Sequence, residues 1–465
     1  MAQTSNDFLG TEPVGKLLRK LAIPTVAAQL INMLYNIVDR IYIGHMPENG
    51  DLALTGVGVC LPIILIVSAF ASLVASGGAP RASICMGKGE NDQATRIMNS
   101  CLALQLILSV LLTAVLLLWG RPLLLAFGAS ENTIVFAADY MNIYALGTVF
   151  VQLTLGMNAF ITGQGYAKTG MYTVLIGAVS NIILDPIFIF ICDMGVQGAA
   201  LATVLSQAIS CAWVLLFLCS KKSILRFRLK YIRPDMHLLL PCMALGLAPF
   251  IMTASESVIS VCFNASLLRY GGDPAVGAMT ILTSVMQIAM LPLQGLAQGA
   301  QPITSYNFGA RKPERVKATF FLLLKISLAF STILWALIMA APNVFARIFT
   351  PDPELIAFTA TACRRYFAVL FVFGAQIACQ MTFISIGRAK ESITVAIMRK
   401  FILLLPLIYL MPALFPGDPA MAVYTAEPVA DFLSVAFAVT LFSIQFRKAL
   451  KKISGPADQD ALQTS

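Results

Sequence analysis

The sequence predicts an all-α membrane protein of twelve transmembrane helices, arranged as two pseudo-symmetric six-helix bundles around a central cleft. Three observations carry that prediction. Of 465 residues, 58% are hydrophobic and only 12% charged, where a soluble domain has about 25% charged. Apolar runs long enough for a hydrocarbon core of ~30 Å, about 20 residues each, recur between short polar loops. The two halves of the chain also repeat one another.

Taken between Gly, Pro and charged breakers, the runs lie near 17–43, 53–86, 95–118, 134–162, 170–191 and 197–219 in the first half. In the second half they lie near 237–268, 274–306, 316–341, 355–386, 391–414 and 421–446. Alternate loops are basic: Arg81, Lys88 and Arg96, then Lys168, Lys221 to Arg233, Arg311 to Lys317, Arg388 and Lys390, and the tail after Phe446. The opposite loops hold little more than Arg121, Arg269 and Arg347. Lys and Arg in short loops set orientation, so both termini are expected in the cytoplasm of a multi-pass protein of the plasma (inner) membrane. No cleaved signal is read at the start, where residues 1–12 are polar and mildly acidic.

The expected organisation is an N-terminal tail over 1–16, an N-lobe over 17–220, a basic linker over 221–236, a C-lobe over 237–446 and a C-terminal tail over 447–465. The linker falls halfway along, and three stretches match across it. Pro24 precedes Asp39 by the interval that separates Pro249 from Asn264. Gly77 to Gly89 superposes on Gly299 to Arg311, pairing Pro80 with Pro302, Ser83 with Ser305 and Gly87 with Gly309. The same offset brings Gly165-Tyr166-Ala167-Lys168 onto Gly387-Arg388-Ala389-Lys390, and Asp51 onto Asp273. Each half has an even number of spans, so both insert the same way and a cavity is expected between them.

Several function classes lose support. The net charge of +9 would suggest a polyanion partner in a soluble protein; here it follows the positive-inside pattern, so no nucleic-acid partner is expected. The ten cysteines lie in apolar segments without ligand spacing, and the two histidines, His45 and His237, stand near span ends. There is no HExxH, GxSxG or Walker loop, so neither an enzyme nor an ATP-driven pump is expected, and no metal or cofactor beyond a coupling ion.

Carboxylates inside spans cost about 2.5 kcal/mol or more each, which makes them functional candidates. Asp39 lies toward the outer end of the first span, where Arg40 offers simple neutralisation as the alternative. Asp185 lies on the fifth, one helical turn after Asn181 and just before Pro186, which removes a backbone donor. Together they suit a buried carboxylate pair wrapped in amides, since low dielectric and a like-charged neighbour favour proton uptake. Holding a broken helix is the plainer role for Asp185. Tyr35, Asn158 and Thr203 are weaker members of the same polar set. Glu256, mid-way along the seventh span, is a candidate C-lobe cation site or a structural Glu. Glu427 and Asp431 are read as outer-gate or solvated groups, with Arg364 and Arg365 as their expected partners. The 20 Met and 29 Phe suit a cavity for varied flat molecules, although lipid contact and core packing explain most of them.

These motifs, in this order from about Leu17 to Phe446, resemble the multidrug and toxic compound extrusion (MATE) family, bacterial multidrug-export branch. The resemblance rests on the first-span proline and aspartate, Gly87-Lys88-Gly89, Asn181 to Pro186, Gly195 to Thr203, Gln301-Pro302 and Asn307 to Ala310. It implies a V-shaped cleft, alternating access, and export of small organic cations in exchange for H⁺ or Na⁺ by a monomer in contact with membrane lipids. It also implies an N-lobe network of Asp39, Tyr35, Asn158, Asn181, Asp185 and Thr203, with Pro24 as a hinge of the first span. Glu256 falls near the position where some members carry a sodium-binding glutamate. The rival expectation is a lipid-linked oligosaccharide flippase of similar architecture.

Overall fold

The computed structural model of the chain describes residues 8–46 and 50–454. The rest of the expected tails and the side chain of Asp51 lie outside the described residues, which form helices and no strand. After a short α1 (Phe8–Thr11) come α2 (Val14–Gly44), α3 (Gly50–Gly87), α4 (Asn91–Ala126), α5 (Ile134–Gly163), α6 (Ala167–Pro186) and α7 (Gly195–Cys219). The second half holds α8 (Met236–Gly309), α9 (Pro313–Ala340), α10 (Pro342–Arg347), α11 (Pro353–Tyr366), α12 (Phe373–Ser385), α13 (Ala389–Ile397), α14 (Leu405–Leu414) and α15 (Pro419–Ile453).

Ten of the described helical stretches are long and apolar enough to cross a membrane. The longest, α8, is two spans: Gly272 has φ 66° and ψ −163°, a conformation that breaks the helix and that only glycine adopts without strain. A further span comes from α11 and α12, bent by 47° against each other. Trp335 Nε1 donates to the Ala368 carbonyl at 3.0 Å and Ser331 Oγ to that of Phe371 at 2.9 Å, so side chains of α9 satisfy backbone that the bend frees. Twelve crossings result, as the composition predicts.

Two spans carry a wide turn. A π-helical segment, Ile187–Ile191, follows Pro186, whose missing N–H interrupts the α ladder, and another, Met398–Leu404, joins α13 to α14.

Both expected tails shorten. Leu9 is buried, and Asn307 Nδ2, Lys312 Nζ and Arg315 Nη2 donate to the carbonyls of Leu9, Gly10 and Glu12 at 2.9, 2.8 and 2.6 Å, which holds α1 against the second half. At the other terminus α15 continues to Ile453 because Phe446, Ala449 and Leu450 still pack inward. Lys451 and Lys452 in its last turn suit the negative end of the helix.

The halves are stitched together at the end that carries the linker. There α3 runs along α8 so closely that a Cβ on Gly87 would collide with the Tyr306 carbonyl, and one on Gly309 with that of Ile84. Gly87 pairs with Gly309 in the repeat, and Ile84 with Tyr306, so the two contacts are mates across the pseudo-two-fold axis. Close backbone approach at small residues is the main means of helix association where no hydrophobic drive operates between helices. Farther along α8, Thr25 Oγ1 of α2 donates to the Gly295 carbonyl at 2.6 Å and Gln29 Nε2 to Gln298 Oε1 at 3.1 Å.

Candidate ion and substrate site

Four helices of the first half converge on one small polar pocket of about 60 Å³, lined by Tyr35 of α2, Asn158 of α5, Asn181 of α6 and Thr203 of α7. Thr173, Ser206 and Ser210 add hydroxyls to its walls, and Leu155, Val174, Gly177 and Ala178 contribute apolar surface. Thr173 Oγ1 donates to Asn158 Oδ1 at 3.0 Å, and Asn158 Nδ2 donates to the Gly170 carbonyl at 3.3 Å, so α5 and α6 are tied side by side.

Asp185 adjoins this pocket. Asn181 Nδ2 donates to its Oδ1 at 3.1 Å, the one-turn geometry expected from their spacing. The Asp39 carboxyl on α2 faces the Asp185 carboxyl on α6. Asp39 Oδ1, Asn181 Oδ1 and Asp185 Oδ2 are buried without a hydrogen-bond partner among the described residues. The place is therefore rich in acceptors and poor in donors, and a proton or a small cation satisfies what it lacks.

All six network residues named from sequence thus gather in one region. Two that the sequence reading passed over join them: Tyr140 lies close to Thr203 and Asp39, and Tyr144 lies beside Tyr35. Their rings stack at 6.3 Å. The signal was available, since tyrosines one turn apart on an apolar span present two hydroxyls to one face.

Pro24 lies within α2, which continues past it as one helix. Leu17, Leu18, Leu21 and Ala22 before it and Thr25 after it are buried, whereas Leu30, Leu34 and Ile37 farther along are exposed. The helix is anchored up to the proline and sparsely held beyond it, where Asp39 stands.

The second half carries a different constellation. Arg399 Nε donates to Asp431 Oδ1 at 2.7 Å and its Nη2 to Glu427 Oε1 at 3.0 Å, all three side chains being buried. Lys400 Nζ meets Glu256 Oε1 at 2.6 Å. This corrects the sequence reading of Glu427 and Asp431 and of their partner, and it supplies a neighbour for Glu256. Glu427 and Asp431 are enclosed rather than solvated, because a guanidinium from the neighbouring span compensates them. Their partner is Arg399, while Arg365 pairs at the surface with Asp418 at 3.5 Å. The cation at Glu256 is the protein's own Lys400. Sequence reasoning missed Arg399 and Lys400, although two adjacent basic residues inside an apolar span were a visible sign.

Comparison with known proteins now bears on the chain. The MatE family profile matches residues 24–187 and again 249–410, and each match opens on one of the two repeat prolines, Pro24 and Pro249. The chain belongs to the MATE family.

Among curated MATE relatives, the multidrug export protein MepA of Staphylococcus haemolyticus is 23% identical over 94% of this chain and 96% of its own length. That of Staphylococcus aureus is 22% identical over 88% and 89%. Among solved structures, a MATE protein in the bent conformation superposes with a TM-score of 0.90 at 22% identity, covering 97% of this chain and all of that one. An outward-facing multidrug resistance MATE transporter superposes with a TM-score of 0.88 over the same shares. These structures establish the common fold. Membership makes this chain a multi-pass membrane transporter, not an enzyme.

Proposed function

We propose that this MATE protein exports amphipathic organic cations in exchange for protons by alternating access, with Asp39 and Asp185 as the coupling pair. One observation carries the reading: two carboxyls from different helices face each other amid buried oxygens that lack hydrogen-bond partners among the described residues. Like charges so placed do not both persist away from water, so the pair takes up a proton from whichever side the cleft faces. Proton uptake by Asp39 changes its fit to Asp185 and Tyr140, and α2 answers by moving beyond Pro24, where its packing is loose. The cation in the cleft then loses its counter-charge and leaves.

Sodium is the second reading, because Asp39 Oδ1, Asn181 Oδ1 and Asp185 Oδ2 are three acceptor oxygens of the kind that bind a hard cation. A flippase for pyrophosphate-linked lipids would need uncompensated cations facing the cleft; Arg399 and Lys400 are both paired. On the strength of its basic loops, the protein is taken to lie in the plasma membrane with both termini in the cytoplasm; it is further taken to act as a monomer.

The test is uptake of an ethidium-like cation into proteoliposomes under separate H⁺ and Na⁺ gradients. A proton gradient alone is expected to drive wild-type flux, and Asp39→Asn to abolish that drive. Flux that follows only the Na⁺ gradient would shift the coupling ion to sodium, and undiminished proton-driven flux in Asp39→Asn would remove the carboxyl pair from the mechanism.

A further inference from the structure

The C-lobe cluster sets three carboxylates, those of Glu256, Glu427 and Asp431, against two cations, Arg399 and Lys400. Arg399 and Lys400 are consecutive residues of the π-helical segment Met398–Leu404, and both are buried. Arg399 is fixed: both carboxylates of α15 hold it, and its guanidinium lies 4.9 Å from the Phe373 ring centroid. Among the described residues Lys400 has a single ionic partner. Its own side chain is 3% exposed while that of Glu256 is 57% exposed, so the ammonium approaches from inside the lobe a carboxylate that is otherwise open.

The N-lobe provides the contrast. Counted from Ala167 and Ala389, the first residues of α6 and α13 and partners in the repeat, Arg399 and Lys400 correspond to Gly177 and Ala178. Gly177 and Ala178 line the N-lobe pocket, which is open where the C-lobe is filled by charge.

We propose that Lys400 is a resident cation, a tethered ammonium that occupies the Glu256 carboxylate and thereby closes the C-lobe to inorganic monovalent cations. Lys400 is then a selectivity-determining residue, and the capture of a free ion is left to the N-lobe. Removing its charge leaves three carboxylates against one guanidinium, and the exposed member is the one set free. A small cation that can shed part of its water takes the place of the ammonium.

The readout is ion binding rather than flux, so its outcome is independent of the coupling scheme proposed above. Sodium is titrated into the purified full-length protein in detergent, followed by calorimetry and by ²²Na⁺ retention, for wild type, Lys400→Met, Lys400→Arg and the double variant Lys400→Met/Glu256→Gln. Lys400→Met is expected to gain a saturable site at least about tenfold tighter than any in wild type, and the double variant and Lys400→Arg to lack it. A monodisperse Lys400→Met that binds no more Na⁺ than wild type would overturn the proposal. Should that variant not fold, wild type and Glu256→Gln still decide: Na⁺ binding by wild type that Glu256→Gln removes would show the carboxylate to be free and overturn it, and equal binding by the two supports it.

Discussion

Arg399 shows how a single side chain compensates two carboxylates buried within an apolar cluster. Its guanidinium bridges Glu427 and Asp431, one helical turn apart on α15, and both carboxylates are buried. Breaking a buried pair from one side strands the remaining charge, which costs about 3–5 kcal/mol, more than the net worth of the bridge itself. Arg399→Met is therefore expected to lower the thermal midpoint in detergent markedly, and adding Glu427→Gln and Asp431→Asn to recover much of the loss. A single variant as stable as wild type would show that the carboxylates are neutral or hydrated. Asp185 presents the opposite case: Asn181 and Asp39 stand beside it but no fixed cation does, which suits a group that exchanges its proton.

Between elements, the decisive contact is the seam where α3 meets α8. Gly87 and Gly309 let each helix approach the other's carbonyls in a way that no larger residue permits. Gly87→Val is expected to prop the linker end apart and favour the state open on that side, and Gly309→Val to do the same because the two contacts are mates. Spin labels on α3 and α8 at that end would read the change as a longer distance by pulsed EPR; an unchanged distance distribution would show that the seam is not the gate. The same logic applies to α2. Pro24→Ala restores the backbone donor that proline lacks, and is expected to slow proton-driven efflux while leaving cation binding at fixed pH within about twofold. If efflux is unaffected, the bend is elsewhere.

At the scale of the molecule, the two lobes share a topology and divide the chemistry. One holds an open acceptor pocket, the other a compensated charge cluster, and the glycine seam joins them. If protons and organic cations compete through the N-lobe, the affinity for an ethidium-like cation falls as pH falls, because proton uptake removes the negative charge that attracts the ligand. The fall in affinity on acidification is expected in wild type and absent in Asp39→Asn, measured by fluorescence anisotropy in detergent. A pH-dependent affinity that survives in Asp39→Asn would place the competing proton elsewhere. One charge crossing 100 mV supplies about 2.3 kcal/mol, sufficient to concentrate a drug roughly 50-fold.

Much of this was legible in the sequence, for one reason. In a bilayer every span must be long, apolar and internally hydrogen-bonded, so crossings, loops and the repeat are written in local composition, and a carboxylate such as Asp39 or Asp185 stands out against it. Local composition does not say which charges face one another. The sequence alone offered Glu256 as a cation site and Glu427 and Asp431 as solvated; only the packing of α8, α14 and α15 around the π-helical turn delivered Arg399 and Lys400 to them. Electrostatic partnership depends on a few ångströms between segments distant along the chain, and that distance belongs to the tertiary structure.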